Sequence, residues 1–145
     1  MANSPLGVGQ SVVGWQAAHA AVGAAVAAAQ AQGIRVNVAV VDASGVLAAF
    51  LRMPGAPLHS VQIAIDKAYT AVSFGLPTSG WSAALQQHSA AVREGIVLQP
   101  RFIAFGGGLA IVEAGERLGA IGVSGGSEEQ DEAIARAGLA ALGLE

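Results

Sequence analysis

The sequence predicts an α+β domain in which an antiparallel sheet of five strands is flanked by helices. Alanine-rich segments with strong helix propensity lie near both ends of the chain, over 11–32 and 128–142. The β-branched segments between them are joined by short turns, which is typical of antiparallel hairpins. With no linker or internal repeat, the whole chain, 1–145, is expected to form a single domain with its own core.

A helix and a hairpin open the predicted fold. The helix over 11–32 is expected to end at Gly33, because glycine accepts the left-handed conformation of a helix stop. Strands over 36–41 and 46–53 flank the turn Asp-Ala-Ser-Gly, in which Gly45 takes the left-handed position. The first helix is therefore followed directly by an antiparallel β-hairpin.

Two further helices are predicted after the hairpin. Ser60 is the expected N-cap of a helix that continues to Phe74 and ends at Gly75. A second helical piece is predicted over 77–91, because Pro-Thr-Ser-Gly is a suitable helix start. The residues 93–100 are then expected to form a loop.

Three short strands and a closing helix complete the predicted fold. Ser127 and Gln130 have the spacing of a capping box, so the helix over 128–142 is expected to start there. The glycines at 106–108 form a flexible hinge between the first two strands. The strands are predicted over 102–105, 109–112 and 117–124.

The turn before this last helix, Ser124-Gly125-Gly126, has the composition of an anion-binding turn. Glycine-rich turns before a helix bind anions because free N–H groups and the helix dipole both favour negative charge. Here the first helical turn already contains Glu128, Glu129, Asp131 and Glu132, which would repel a second anion. The sequence therefore favours a self-capped helix, with the turn able to form the close wall of a pocket.

Composition excludes several classes of function. A net charge of −3, with 12% charged residues and no basic patch, argues against a nucleic-acid partner. The absence of cysteine excludes disulfides, and 3 isolated histidines without H-x-H or H-x-x-E spacing predict no metal centre. No apolar run reaches the ~18 residues of a membrane span, and no signal-peptide pattern is visible, so a cytoplasmic protein without a membrane partner is expected.

The balance of apolar residues indicates self-association. Apolar residues make up 53% of the chain and the mean hydropathy is +0.54, although aromatic residues contribute only 5%. Such an excess is expected to be buried between subunits rather than exposed to water. The sequence therefore predicts a homo-oligomer, either a dimer or a larger assembly. The glycine-rich turns that can form pocket walls separately indicate a small-molecule ligand.

Two residues stand out as candidates for chemistry. His19 lies at helical spacing from Trp15 on an apolar face, as either a satisfied core or interface histidine or a haem or metal ligand. Lys67 is the only lysine and lies among apolar neighbours. It is either a surface lysine whose stem packs on apolar atoms, or a cation at the edge of a pocket with Thr70 as a nearby hydrogen-bond donor.

Four motifs follow one another along the chain: V-A-V-V-D-A-S-G-V-L-A-A-F-L-R-M-P-G-A-P (38–57), I-A-I-D-K-A-Y-T-A (63–71), F-G-L-P-T (74–78) and L-G-A-I-G-V-S-G-G-S-E-E-Q-D-E-A-I-A-R-A-G (118–138). In this order they resemble the GlcG/HbpS-like family, also known as haem-degrading or haem-binding proteins, which includes the C-terminal domain of PduO-type proteins. The resemblance extends over roughly residues 15–142.

The resemblance implies a profilin-like or PAS-like fold with a central five-stranded antiparallel sheet, assembled as dimers or higher oligomers. Some members of the family bind haem or a corrinoid. The positions that match the family pattern are Asp42, Gly45, Arg52, Met53, Gly55, Lys67, Thr70, Phe74, Thr78, Gly106, Gly107, Gly122, Ser124, Gly125, Gln130 and Asp131.

The chain departs from the family pattern at two places. His59 stands where the family often has a small residue, and Ala110 replaces a proline that usually follows the paired glycines. His59 is expected to lie just outside the helix capped by Ser60, where the helix dipole would keep its imidazole neutral. Both changes indicate a pocket altered for its own ligand.

Three functional hypotheses follow. The first is a protein that binds haem or a related tetrapyrrole in an apolar pocket, with His19 or His59 as axial ligand; the full cofactor-binding set is His19, His59, Phe74, Gly106, Gly107 and Gly125. The second is a lyase or isomerase without a redox cofactor that acts on a small acidic or aromatic compound. Its catalytic set is His59 as acid/base, Lys67 and Arg52 to hold an acidic group, and Thr70. The third is an accessory or sensor subunit without chemistry.

Overall fold

The computed structural model describes residues 4–144 and contains, within that range, one antiparallel sheet of four strands in the order β2-β1-β4-β3. Over the same described residues, five α-helices and a short 3₁₀ turn surround this sheet. The elements in chain order are α1 Trp15–Ala31, β1 Asn37–Asp42, β2 Leu47–Arg52, α2 His59–Phe74, the 3₁₀ turn Thr78–Gly80, α3 Trp81–Leu85, α4 Ala90–Ile96, β3 Gly108–Glu113, β4 Glu116–Ser124 and α5 Glu128–Ala140.

The helices form layers on both faces of the sheet. Helices α1 and α5 pack against each other and cover one face, where Val36, Val38 and Val40 are buried. Helix α2 covers the opposite face over a smaller cluster that includes Val41 and Ala120. The expected α+β architecture is therefore confirmed, with the central strands β1 and β4 enclosed between two helical layers.

Gly122 in β4 explains how closely α2 approaches the sheet. A Cβ atom at this position would collide with the carbonyl oxygen of Ala64 and lie 2.6 Å from the amide nitrogen of Ala68. Only glycine allows the helix backbone to rest directly on the strand. This contact brings the middle of α2, including Lys67, next to the end of β4.

The prediction of five strands is wrong, because residues 102–105 are not part of the sheet. The hydroxyl of Thr70 accepts a hydrogen bond from the Ile103 amide at 3.1 Å and donates one to the Arg101 carbonyl at 2.9 Å. These backbone groups are therefore partnered by a helix side chain instead of a neighbouring strand. The segment crosses the end of α2 as an irregular stretch.

The helix predicted over 77–91 is helical but interrupted, and the loop predicted over 93–100 is wrong for its first four residues, which belong to α4. The first is divided into the 3₁₀ turn and α3, and α4 begins at Ala90 within the same region. The hydroxyl of Ser89 accepts from the Val92 amide at 3.2 Å and so caps α4. A serine that caps a new helix ends the previous one, because the N-cap residue has an extended backbone.

The long helices α1, α2 and α5 end close to the predicted residues, but the N-termini of α1 and α2 differ from the prediction. Helix α1 begins at Trp15, because the preceding residues are extended and the Val13 amide bonds the Leu118 carbonyl at 2.9 Å. Helix α2 begins at His59, so Ser60 is not its cap but a buried residue of the first turn. Gly75 ends α2 with a φ of 75°, and the capping box of α5 is present as predicted.

Within residues 4–144, no helix is both long enough and apolar enough to cross a lipid bilayer.

Candidate functional site

Lys67 lies at the centre of a buried polar cluster that joins α2, β4 and α5. Its ammonium donates to a carboxylate oxygen of Asp131 at 3.0 Å and to the Val123 carbonyl at 2.8 Å. The side chains of Lys67 and Asp131 are only 1% and 3% exposed. Burial lowers the pKa of Lys67 from 10.5, and the negative charge of Asp131 opposes that shift.

The glycine-rich segment 106–108 packs against this lysine. A Cβ atom at Gly107 would lie 2.7 Å from the Lys67 nitrogen, and one at Gly106 would lie 3.1 Å from the Glu128 carbonyl oxygen. The ring of Phe105 lies 5.0 Å from the same nitrogen and adds a cation–π contact. Lys67 is therefore surrounded by its own chain and joins three elements of the fold.

The turn before α5 is occupied by the chain's own carboxylate. The amide of Gly126 donates to the second carboxylate oxygen of Asp131 at 2.8 Å, while Ser127 and Gln130 cap each other. The self-capped helix that the sequence favoured is confirmed. Gly125 packs elsewhere, since a Cβ atom there would lie 2.9 Å from the Cα atom of Val36.

Thr70 and Phe74, one and two turns after Lys67, face a different region. The Thr70 hydroxyl donates to the Arg101 carbonyl and accepts from the Ile103 amide. Phe74 meets Trp81 and Phe102 in edge-to-face contacts with ring centroids 4.8 and 6.1 Å apart. Both residues line a pocket of about 160 Å³ between α2 and the residues 96–102.

Arg101 and Asp66 form a second ion pair beside this pocket. The Nε atom of Arg101 donates to a carboxylate oxygen of Asp66 at 2.9 Å, and its guanidinium lies 3.6 Å from the ring centre of Tyr69. Sequence reasoning missed this group. Asp66 and Arg101 are 35 residues apart, and only the crossing of the 101–103 segment over α2 brings them together.

The two candidate histidines are both exposed and lie apart from the buried cluster. His19 is on the outer face of α1, whose buried face is formed by Ala18, Ala21, Val22, Ala25 and Ala29. His59 is the first residue of α2, so its predicted position outside the helix is wrong. Eight residues of helix separate it from Lys67, or about 12 Å along the axis.

Arg52 lies in a third region, at the end of β2. Its guanidinium donates to the Met53 carbonyl at 3.1 Å and to the Ala56 carbonyl at 2.6 Å. With Arg35 it lines an open groove of about 640 Å³ between the end of α1 and β2. The structure thus does not bring His59, Lys67 and Arg52 together around one substrate, as the lyase or isomerase hypothesis requires.

Comparison with known proteins decides the family. Residues 13–140 match the model of the HbpS-like family, described as "Haem degrading protein HbpS-like". The chain belongs to the HbpS-like family. The resemblance noted in the sequence is therefore confirmed over most of the chain.

Relatives of this HbpS-like chain include a longer protein. This chain is 37% identical over 130 residues to the corrinoid adenosyltransferase PduO of Citrobacter freundii, and the match covers 90% of this chain. The chain spans only 39% of the length of that PduO.

Two solved structures share the HbpS-like fold closely. The Klebsiella pneumoniae protein ORFY has a TM-score of 0.90 at 30% identity, covering 99% of this chain and 100% of ORFY. The PduOC:haem complex has a TM-score of 0.82 at 38% identity, covering 90% of this chain and 94% of PduOC. Haem binding therefore occurs among proteins of this fold.

The described surfaces of this HbpS-like chain differ in their suitability for haem. The 160 Å³ pocket beside Arg101 is small for a macrocycle, because pockets for cofactor-sized ligands usually measure about 300–1,000 Å³. The outer face of α1 offers an exposed imidazole without that restriction, and a Cβ atom at Gly23 would meet nothing within 4 Å. No group of three or more metal-ligating side chains is present within residues 4–144.

Proposed function

We propose that this chain binds haem or a closely related tetrapyrrole on the outer face of α1, with His19 as the axial ligand. The observation that supports this is the row Trp15, His19, Gly23, in which residues four apart share one face of the helix. The Trp15 side chain is 71% exposed, and Gly23 leaves open space one turn beyond the imidazole. An aromatic ring, a nitrogen ligand and a flat small-residue surface suit a planar macrocycle.

The charge of α1 also supports this location. Over Trp15–Ala31 the helix has no Asp, Glu, Lys or Arg, and its exposed positions other than Trp15 and His19 are Ala, Gly and Gln. An uncharged helix face of this kind is typical of a surface that becomes covered. The porphyrin ring of haem is large, planar and mostly apolar, and it would cover this face of α1.

His59 is the less suitable ligand for a physical reason. It stands at the N-terminus of α2, where the helix dipole disfavours positive charge, including that of a coordinated iron ion. His19 is the fifth residue of α1 and lies beyond the first turn, where the dipole effect is much weaker. The imidazole of His19 would hold the haem iron. The haem, when bound, would supply the ligand-exchange and redox chemistry.

The proposal includes a homo-oligomer. A macrocycle lying on one exposed helix has only one of its faces covered by protein. A second copy of α1, related by a twofold axis, would cover the other face with the same residues. Dimers or larger assemblies would then be favoured when haem is present.

Haemin titration monitored at the Soret band tests the proposal with three matched variants. His19→Ala should remove the sharpened band by deleting the axial nitrogen, whereas His59→Ala and His88→Ala should bind like the parent. His88 is the control, because it is an exposed histidine away from both helices. A His19→Ala protein that binds haemin like the parent would exclude this ligand.

A further inference from the structure

The small pocket on the other helical layer has features that haem binding does not explain. It lies between α2 and the residues 96–102 and has a volume of about 160 Å³. Helix α2 covers the face of the sheet opposite to α1, so this pocket is separate from the proposed haem surface.

Arg101 adopts an unfavourable backbone conformation at the edge of this pocket. Its φ is +69°, in the left-handed region that side chains other than glycine rarely occupy. The conformation is held because Thr70 bonds both the Arg101 carbonyl and the Ile103 amide. Backbone strain that the surrounding structure maintains is concentrated at functional sites in proteins.

The guanidinium of Arg101 is fixed in one orientation. It stacks on the ring of Tyr69, 3.6 Å from the ring centre, and its Nε atom is bonded to Asp66. Asp66 is in turn held by the side-chain amide of Gln62 at 2.9 Å. An arginine restrained in this way loses little conformational entropy when it binds a ligand.

The end of the guanidinium remains available. Among residues 4–144, no acceptor bonds either terminal nitrogen of Arg101, and the side chain is 38% exposed. Two parallel N–H groups at the end of a planar guanidinium match the two oxygens of a carboxylate. The rest of the lining is mainly apolar and includes Phe74, Ile96 and Phe102.

We propose that this pocket binds a small monocarboxylate with an apolar body about the size of a phenyl ring. The carboxylate is paired with the terminal nitrogens of Arg101, and the ring lies against Phe74, Ile96 and Phe102. The size is consistent, because an apolar cavity of about 150 Å³ is sufficient to bind benzene. Asp66 is a positioning residue that orients Arg101 and does not contact the ligand.

Benzoate and its neutral isostere benzamide test the proposal by isothermal titration calorimetry on the full chain. Benzoate should bind with a dissociation constant below about 10 mM, and benzamide about ten- to hundredfold more weakly, as expected for losing a charge-assisted hydrogen-bond pair. Arg101→Lys should weaken benzoate to a similar extent, because lysine cannot form the paired contact. The control Arg93→Lys alters a half-buried arginine of α4 that does not line the pocket, and it should leave binding unchanged.

Two further variants keep the test decisive. Asp66→Ala removes the acceptor that orients Arg101, so it should weaken benzoate but not benzamide, which a general loss of stability would not do. Ile96→Trp should fill the pocket and abolish binding even if Arg101→Lys fails to fold. Equal binding of the two probes, unchanged binding by folded Arg101→Lys or by Ile96→Trp, or no benzoate binding to the parent at about 10 mM overturns the proposal.

Discussion

Replacing Lys67 with methionine should destabilise the fold by about 3–5 kcal/mol. Methionine has a similar length and no charge, so the change removes the ammonium while keeping most of the packing. The carboxylate of Asp131, only 3% exposed, would remain in the interior without its counter-ion. Breaking a buried pair by removing one partner is costly for this reason.

The hydrogen bonds of the Lys67 ammonium support a destabilisation of the same size. Lys67 donates two hydrogen bonds, at 2.8 and 3.0 Å, and each bond involving a charged group is worth about 1.5–3 kcal/mol. The apolar end of methionine, which is easier to bury than an ammonium, offsets part of this loss. For a domain of this length the change should lower Tm by about 6–20 °C.

A surface ion pair provides the matched control. Arg136 and Glu132 are four residues apart on α5, with a nitrogen–oxygen distance of 3.6 Å and side chains 56% and 23% exposed. Arg136→Met should change the free energy of unfolding by about 0.5 kcal/mol or less, because solvent screens exposed pairs. The comparison separates the effect of burial from the effect of losing a charge.

Urea denaturation at pH 7 measures both variants under the same conditions. The double variant Lys67→Met/Asp131→Asn should regain most of the stability, since asparagine removes the unpaired charge and can still accept from the Gly126 amide. If Lys67→Met unfolds at the same urea concentration as Arg136→Met, the argument from burial is wrong. A double variant less stable than Lys67→Met would equally contradict it.

Three further outcomes follow from the same contacts. The pKa of Lys67 is lowered in the folded state, so the unfolded chain binds more protons than the folded chain at pH values just below 10.5. The free energy of unfolding should therefore rise as pH approaches 10.5. Urea melts of the parent should show this rise, and those of Lys67→Met should not. Thr70→Val should cost about 1–3 kcal/mol in urea melts, as the Arg101 carbonyl and Ile103 amide lose their partner. Gly122→Ala should lower Tm by several degrees in calorimetry, about 1–3 kcal/mol, because α2 must move away from β4.

Local signals predicted the three long helices and the two hairpins well. The positive φ expected from the sequence is present at Gly33, Gly45 and Gly75. Ser127 caps α5 by a reciprocal pair of hydrogen bonds with Gln130, three residues later. Each of these signals acts over a few residues, so one short stretch of sequence contains the whole interaction. The remaining predictions depended on partners distant in the chain and were less successful.

The missing strand illustrates the limit. Residues 102–105 have the composition of a strand, but the Ile103 amide and the neighbouring Arg101 carbonyl are bonded by Thr70, which is more than 30 residues away. No periodicity in either segment indicates that contact. The same crossing creates the Arg101 pocket, so one unpredicted contact accounts for both the wrong strand and the missed site.

Lys67 could be selected from the sequence, but its role could not. It is the only lysine and lies on an apolar helix, which indicated an unusual environment. Its partner Asp131 is 64 residues away, in a helical turn that also contains Glu128, Glu129 and Glu132. Composition gives no reason to choose one of four acidic residues, and only the packing of α5 against β4 makes the choice.

The pairing of Lys67 with Asp131 occupies the centre that would otherwise attract an external anion. A glycine-rich turn before a helix attracts anions, and a buried ammonium attracts them more strongly. Here one carboxylate satisfies both, because Asp131 accepts from the Gly126 amide and pairs with Lys67. Binding an external anion at this centre would require displacing Asp131 and losing the stability that the Lys67→Met experiment measures. The two sites proposed above therefore lie elsewhere, at the exposed His19 of α1 and at the terminal nitrogens of Arg101 beside α2.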